Sequence, residues 1–248
     1  MDQLPQIPQD AVKPIYTEER QPIPESTLEV KDSLAQSFLM MAGGLALTAL
    51  TSWLTLSSGL LYFLYTHEMM LYGVMIAELA VVFCFSFMMK KASTLALGLM
   101  FGAYSILTGI SLTSLAVIYS GWTLFITFGI TAVYFLCLAI VGYTTKKNLS
   151  GIGMVCLTGL VVMLISQLIM MIFNFDWSTR LYAIVGMLLF TGITAWDVQR
   201  AKVIFANAEQ TDMPRSKWVM YFALELYLDF INIFLYVLRL VGAGSSRD

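Results

Sequence analysis

Ala223-Leu-Glu-Leu-Tyr-Leu-Asp-Phe-Ile-Asn-Ile-Phe-Leu-Tyr-Val-Leu-Arg-Leu240 is the stretch that decides how this chain folds. Counted from Trp218, it is an apolar run about 20 residues long, enough to cross a bilayer core at about 1.5 Å per residue. It nevertheless carries two acids, Glu225 and Asp229. Asp229 lies about 12 residues past Lys217, which puts it roughly 18 Å deep, near mid-membrane. Glu225 is four residues before it and Asn232 three after, so the three share one helical face, and Tyr221 extends that stripe. An ionisable group in a lipid-facing helix costs about 2.5–3.5 kcal/mol, so acids that persist there usually face a bundle interior or a water-filled cavity. The stripe reads as cavity-lining, with cation pairing or hydrogen bonds between helices as the plainer reading.

Outward from this helix, six more apolar stretches qualify as spans: roughly 35–56, 70–89, 94–118, 121–143, 151–173 and 180–204, before 218–240. The first continues apolar through Leu60, Leu61, Tyr62 and Phe63, which leaves its outer boundary open. The sequence therefore predicts an all-α polytopic membrane protein, a bundle of seven transmembrane helices over residues 34–242. The composition agrees: 58% of the 248 residues are hydrophobic and 12% charged, too little polar surface to coat a soluble particle.

Lys90–Lys91, Lys146–Lys147 and the group Arg200, Lys202, Arg215 and Lys217 punctuate alternate connections, whereas the remaining connections carry almost no positive charge. Cytoplasmic loops are enriched in Lys and Arg, so the N-terminus is expected in the cytoplasm and the C-terminus outside. Residues 1–33 hold five of the six prolines among Gln, Glu and Asp, the composition of a disordered tail; residues 243–248 form a short C-terminal tail. Gly98, Gly102 and Gly109 lie on one face of the third stretch and are the candidate helix-packing positions.

Cys84, Cys137 and Cys156 lie within apolar runs and read as buried packing residues rather than a metal or disulfide framework. His67 reads as a solvated loop histidine. No nucleophilic triad, phosphate cradle or cofactor motif is visible, so an enzyme is not expected and no cofactor is implied. Net charge is −2, with no basic block to suggest nucleic acid.

The intramembrane acids are Glu78, Asp197, Glu225 and Asp229. Asp197 lies near the cytoplasmic end of its stretch with Arg200 three residues on, so an interfacial ion pair and a functional role are both open. Glu78 has no cation within a helical turn and is a candidate ion-path carboxylate, or a protonated, hydrogen-bonded acid. Two such acids that approach from different helices cannot both ionise cheaply; they share a proton or hold a cation. Calcium wants six to eight oxygens, so two or three carboxylates with Asn232 and backbone carbonyls would hold it weakly, which suits permeation.

The 223–240 segment resembles the last helix of the Bax inhibitor-1 family, the transmembrane Bax inhibitor motif proteins. Thr194-Ala-Trp-Asp-Val-Gln-Arg200 resembles that family's aspartate-any-glutamine signature, and Tyr104-Ser-Ile-Leu-Thr-Gly-Ile-Ser-Leu112 its third helix. The short, poorly basic tail is similar to that of bacterial members. The resemblance implies a seven-helix fold with a central last helix, an inner-membrane location and a pH-sensitive calcium leak. It further implies a di-aspartyl pH sensor at Asp197 and Asp229, with weak calcium binding at most, and an ion path at Glu78. Related proteins latch their aspartates with an arginine late in helix two. This chain has Lys90 and Lys91 there, which as point donors cannot make a forked contact. A second class is regulatory, because bacterial relatives bind a membrane-embedded AAA protease, a partner the tail could engage. The expected partners are thus the bilayer, calcium ions and protons, with such a protease as the alternative.

Overall fold

A computed structural model describes residues 27–173 and 179–245. Among these residues the chain is helical and has no strand. The helices are α1 (Thr27–Ser57), α2 (Leu60–Thr66), α3 (Glu68–Met88), α4 (Thr94–Leu112), α5 (Leu115–Ile118), α6 (Gly121–Thr144), α7 (Ser150–Phe173), α8 (Thr179–Ala206) and α9 (Arg215–Ser245). The starts follow local chemistry. Ser93 and Ser120 accept from the N–H groups of Ala96 and Thr123 and cap α4 and α6. Pro214 stands just before α9, where a missing N–H breaks no helical bond.

All seven apolar stretches are helical, with four differences in detail. Helix α1 begins at Thr27, so residues 27–33 belong to it rather than to a tail; residues 1–26 lie outside the described residues. The reason is tertiary: Val30 and Ser33 are buried, and Arg215 pairs with Glu29 at 3.1 Å. Next, α1 stops where Gly59 takes a left-handed backbone (φ 73°), and Leu60–Phe63 start the separate α2. Further along, the third stretch breaks between α4 and α5, where the Thr113 side chain turns back to the Gly109 carbonyl at 2.7 Å. At the other end, α9 runs on through Ser245, past the boundary set at 242.

Among the described residues, five segments are long and apolar enough to cross a membrane: Leu28–Ser57, Thr94–Ile118, Gly121–Thr144, Ser150–Gln167 and Arg180–Ala206, with Tyr72–Met88 a shorter apolar helix. Their outer faces carry Trp53, Phe87, Trp122 and Val155 exposed, an apolar belt that water would not tolerate and lipid does. The protein is thus multi-pass, and its described residues form helices and their connections without strands. The cysteines correct the sequence reading: Cys84 and Cys137 are exposed on this belt and Cys156 is half-buried. In a bilayer an apolar residue is content facing either lipid or core, so hydropathy does not fix its direction.

Helix α9 lies at the centre, packed by α1, α4, α6 and α8. Phe222, Ala223, Leu226, Tyr227 and Ile233 are wholly enclosed along it. Glycine permits the closest approaches around this axis. At Gly109 a Cβ would stand 2.6 Å from the Thr48 carbonyl and 2.8 Å from Thr51 Cβ, whereas at Gly102 it would meet open space and at Gly98 only Met220 Sδ at 3.9 Å. Gly109→Ala should therefore cost about 1–3 kcal/mol by forcing α1 and α4 apart. Gly102→Ala should be neutral or gain up to about 1 kcal/mol from helix propensity. Thermal unfolding of the two variants in detergent checks the contrast.

Candidate functional site: an arginine among intramembrane acids

Helix α8 presents Asp197 and Arg200 one turn apart, and the facing side of α9 presents Tyr221, Glu225 and Asp229 on successive turns. Arg200 joins the two helices. Its Nη2 forms an ion pair with Glu225 Oε2, stands 3.5 Å from Asp197 Oδ1, and donates to the Tyr221 hydroxyl at 3.3 Å. Its guanidinium lies over the Trp196 ring, 4.8 Å from the centroid, and is flanked by Tyr221 and Phe222 at 5.7 and 5.6 Å. Aromatic faces on three sides favour a cation and screen it from water.

Asp229 lies one turn further along α9 and is buried, as is Asp197. Its charged neighbours are Asp197, Glu225 and Arg200, and Thr194 stands beside it. Both Asp229 Oδ2 and Thr194 Oγ1 are buried without a hydrogen-bond partner. Three acids thus gather about one cation, an arrangement that leaves negative charge uncompensated whenever all three ionise. Among the described residues no three acid, histidine or cysteine side chains gather closely enough to hold a metal ion.

The other sequence candidates lie elsewhere. Lys90 and Lys91 are exposed at the end of α3, where Lys217 Nζ donates to the Lys90 carbonyl at 3.1 Å. The Asn232 amide donates to the Leu228 carbonyl within its own helix at 2.8 Å. Glu78 accepts from Ser111 Oγ at 2.6 Å, with the Tyr104 and Tyr227 side chains near it. Tyr227 points the other way from the acid stripe and shares a 2.6 Å hydrogen bond with Thr48 on α1. Helix α9 therefore has two polar faces, one of acids toward α8 and one of hydroxyls toward α1 and α4.

Sequence reasoning looked for the bridging cation in the second stretch and missed Arg200 as a bridge between helices. A signal was present: Arg200 is the one basic residue within a helical turn of any of the four intramembrane acids. The glutamine of the aspartate-any-glutamine signature, Gln199, has a structural role that the signature alone does not reveal: it stitches α8 to the α6–α7 connection. Gln199 Oε1 accepts from the Leu149 N–H at 2.8 Å, and its Nε2 donates to the carbonyls of Thr145 and Lys147 at 3.2 and 2.9 Å. Gln199→Leu should leave those three groups unpaired, cost about 1–3 kcal/mol and loosen the loop. Faster tryptic cleavage after Lys146 and Lys147 in the variant checks this.

The family model described as "Inhibitor of apoptosis-promoting Bax1" matches residues 30–246. Inner membrane protein YbhL of Escherichia coli K12 is 34% identical over 211 residues, covering 84% of this chain and 90% of that one. An uncharacterized protein of Borreliella burgdorferi is 32% identical over 210 residues, covering 84% and 90%. An uncharacterized membrane protein of Streptococcus pyogenes serotype M1 is 30% identical over 226 residues, covering 89% and 96%. A match running from the first turn of α1 to the end of α9, and so across the acid cluster, assigns this chain to the Bax inhibitor-1 family of membrane proteins.

Proposed function

We propose that the protein is a pH-sensitive calcium leak of seven spans, with its N-terminus in the cytoplasm. Protonation of Asp197 and Asp229 gates it, and Arg200 holds it closed. The observation that carries this reading is the arginine shared between Asp197 on α8 and Glu225 on α9, with Asp229 one turn away and lacking a partner for one oxygen. A cation that attracts acids on two helices ties those helices together. When Asp229 and Asp197 both lose their protons they repel each other and attract a cation from solution. Protonation relaxes both effects. A calcium ion entering the cluster must compete with the guanidinium, which makes the ion's stay brief and suits conduction rather than storage. Seven spans are reached by adding α3 and α9 to the five segments that meet the length and apolarity of a crossing. The sidedness follows from the basic residues Lys90, Lys91, Lys146, Lys147, Lys202 and Lys217 at the connections that meet one end of the bundle.

The experiment is calcium influx into liposomes holding a trapped calcium dye, followed from about pH 6 to about pH 8. Wild-type protein should admit calcium above protein-free liposomes at a rate that depends on pH, and Asp197→Asn should flatten that dependence. Influx equal to protein-free liposomes from correctly folded protein would overturn the channel reading.

A further inference from the structure

At the lysine-rich end of the bundle, a pair of cavities among the described residues are similar in size and opposite in charge. One, about 710 Å³, lies between the start of α1 and the α8–α9 connection and is lined by Glu29, Asp32, Glu209 and Asp212 along with Arg215. The other, about 780 Å³, lies between the end of α6, the start of α7 and α8. Lys146, Arg200 and Lys202 line it with Tyr143, Trp196 and Gln199, and its lining includes no carboxylate.

Neither lysine of this second cavity makes an ion pair among the described residues. Lys202 Nζ lies 3.4 Å from the Tyr143 carbonyl and 4.9 Å from the centre of the Tyr143 ring. Arg200 faces the acids through Nη2, while its buried Nε has no acceptor. A buried charged donor left without an acceptor is costly, and an anion would relieve it. Gln199 fixes the backbone of the loop that carries Lys146, which brings the exposed Lys146 to the same cavity as Lys202 and Arg200. A tetrahedral phosphate offers several oxygens to such a set and suits both the compact ammonium groups and the guanidinium edge.

We propose that the cavity between α6, α7 and α8 binds a phosphate group, with Lys146, Lys202 and Arg200 as its cationic ligands. It opens where the apolar run of α6 gives way to Thr144-Thr145-Lys146-Lys147. That is the level of lipid headgroups, where aromatic residues such as Tyr143 and Trp196 collect and basic pockets between helices take anionic lipids. An anionic phospholipid headgroup is the source that this position favours, and free phosphate is the other. Arg200 belongs to both this cavity and the acid cluster, so an occupied cavity would draw its guanidinium away from Glu225.

The test titrates the detergent-purified full-length protein with dioctanoyl phosphatidylglycerol, dioctanoyl phosphatidylcholine or inorganic phosphate, and follows the midpoint of thermal unfolding. Phosphatidylglycerol should raise the midpoint saturably and phosphatidylcholine should not. Lys146→Gln with Lys202→Gln should weaken the apparent affinity about tenfold or more. The double arginine variant at the same positions should retain binding, and Lys31→Gln with Lys217→Gln, which removes equal charge elsewhere, should leave it unchanged. A matching response to inorganic phosphate supports the site and assigns it to the free anion. Equal responses to the two lipids with none to inorganic phosphate, or full affinity in the Lys146/Lys202 glutamine variant, would overturn the proposal.

Discussion

Arg200→Gln is expected to destabilise the folded bundle by about 3 kcal/mol, the largest effect foreseen for any single side chain at the site. The substitution leaves the side chains of Asp197 and Glu225, which are 8% and 21% exposed, without their shared cation. Removing one partner of a buried pair costs about 3–5 kcal/mol, because the stranded charge cannot return to water. Arg200 is itself 27% exposed, which sets the expectation at the low end of that range. Arg200→Lys should recover part of the loss: it restores the charge, but a single ammonium cannot serve Asp197, Glu225 and Tyr221 through a planar fork. The aromatic contacts with Trp196, Tyr221 and Phe222 are also better made by a guanidinium. Thermal unfolding in detergent reads the order wild type, then lysine, then glutamine. A glutamine variant as stable as wild type would mean that the acids do not depend on Arg200.

Asp229→Asn should act in the opposite direction and raise stability by about 1 kcal/mol or more. The carboxylate is buried near two other acids and leaves Oδ2 unpaired, next to a Thr194 hydroxyl that also lacks a partner. An asparagine of the same shape removes the repulsion among the three acids. Asp229→Ala would remove the charge but open a void and leave Thr194 alone, so it should gain nothing. A residue whose near-isosteric neutral replacement stabilises the fold is kept at the expense of stability, which is the mark of a functional position. The same unfolding assay checks this, and a destabilised asparagine variant would show that the carboxylate is structural.

Much of this arrangement is legible in the sequence. Apolar length gave the helices, because lipid forces every backbone polar group to find its partner within a helix. The i, i+4 spacing of Glu225 and Asp229 put them on one face, and the family resemblance singled out Asp197 as their counterpart. What could not be read was the register between α8 and α9. Arg200 is visibly close to Asp197 along one helix, but its contact with Glu225 depends on how two helices slide past each other. Here that register is set by glycine and aromatic contacts such as Gly186 under Tyr236. The first turn of α1 was hidden for a similar reason. Lys31 and Asp32 look like the end of a polar leader, and only the burial of Val30 and Ser33 and the pairing of Glu29 with Arg215 make that turn part of the bundle.

The proposed gating by the acids around Arg200 is tested most directly by the rate of calcium influx against pH for Asp229→Asn and wild-type protein, reconstituted at equal density and shown by gel filtration to be equally folded. The account predicts a rate that varies from about pH 6 to about pH 8 in wild type and is flat in the variant. A variant that keeps the wild-type pH profile would contradict it.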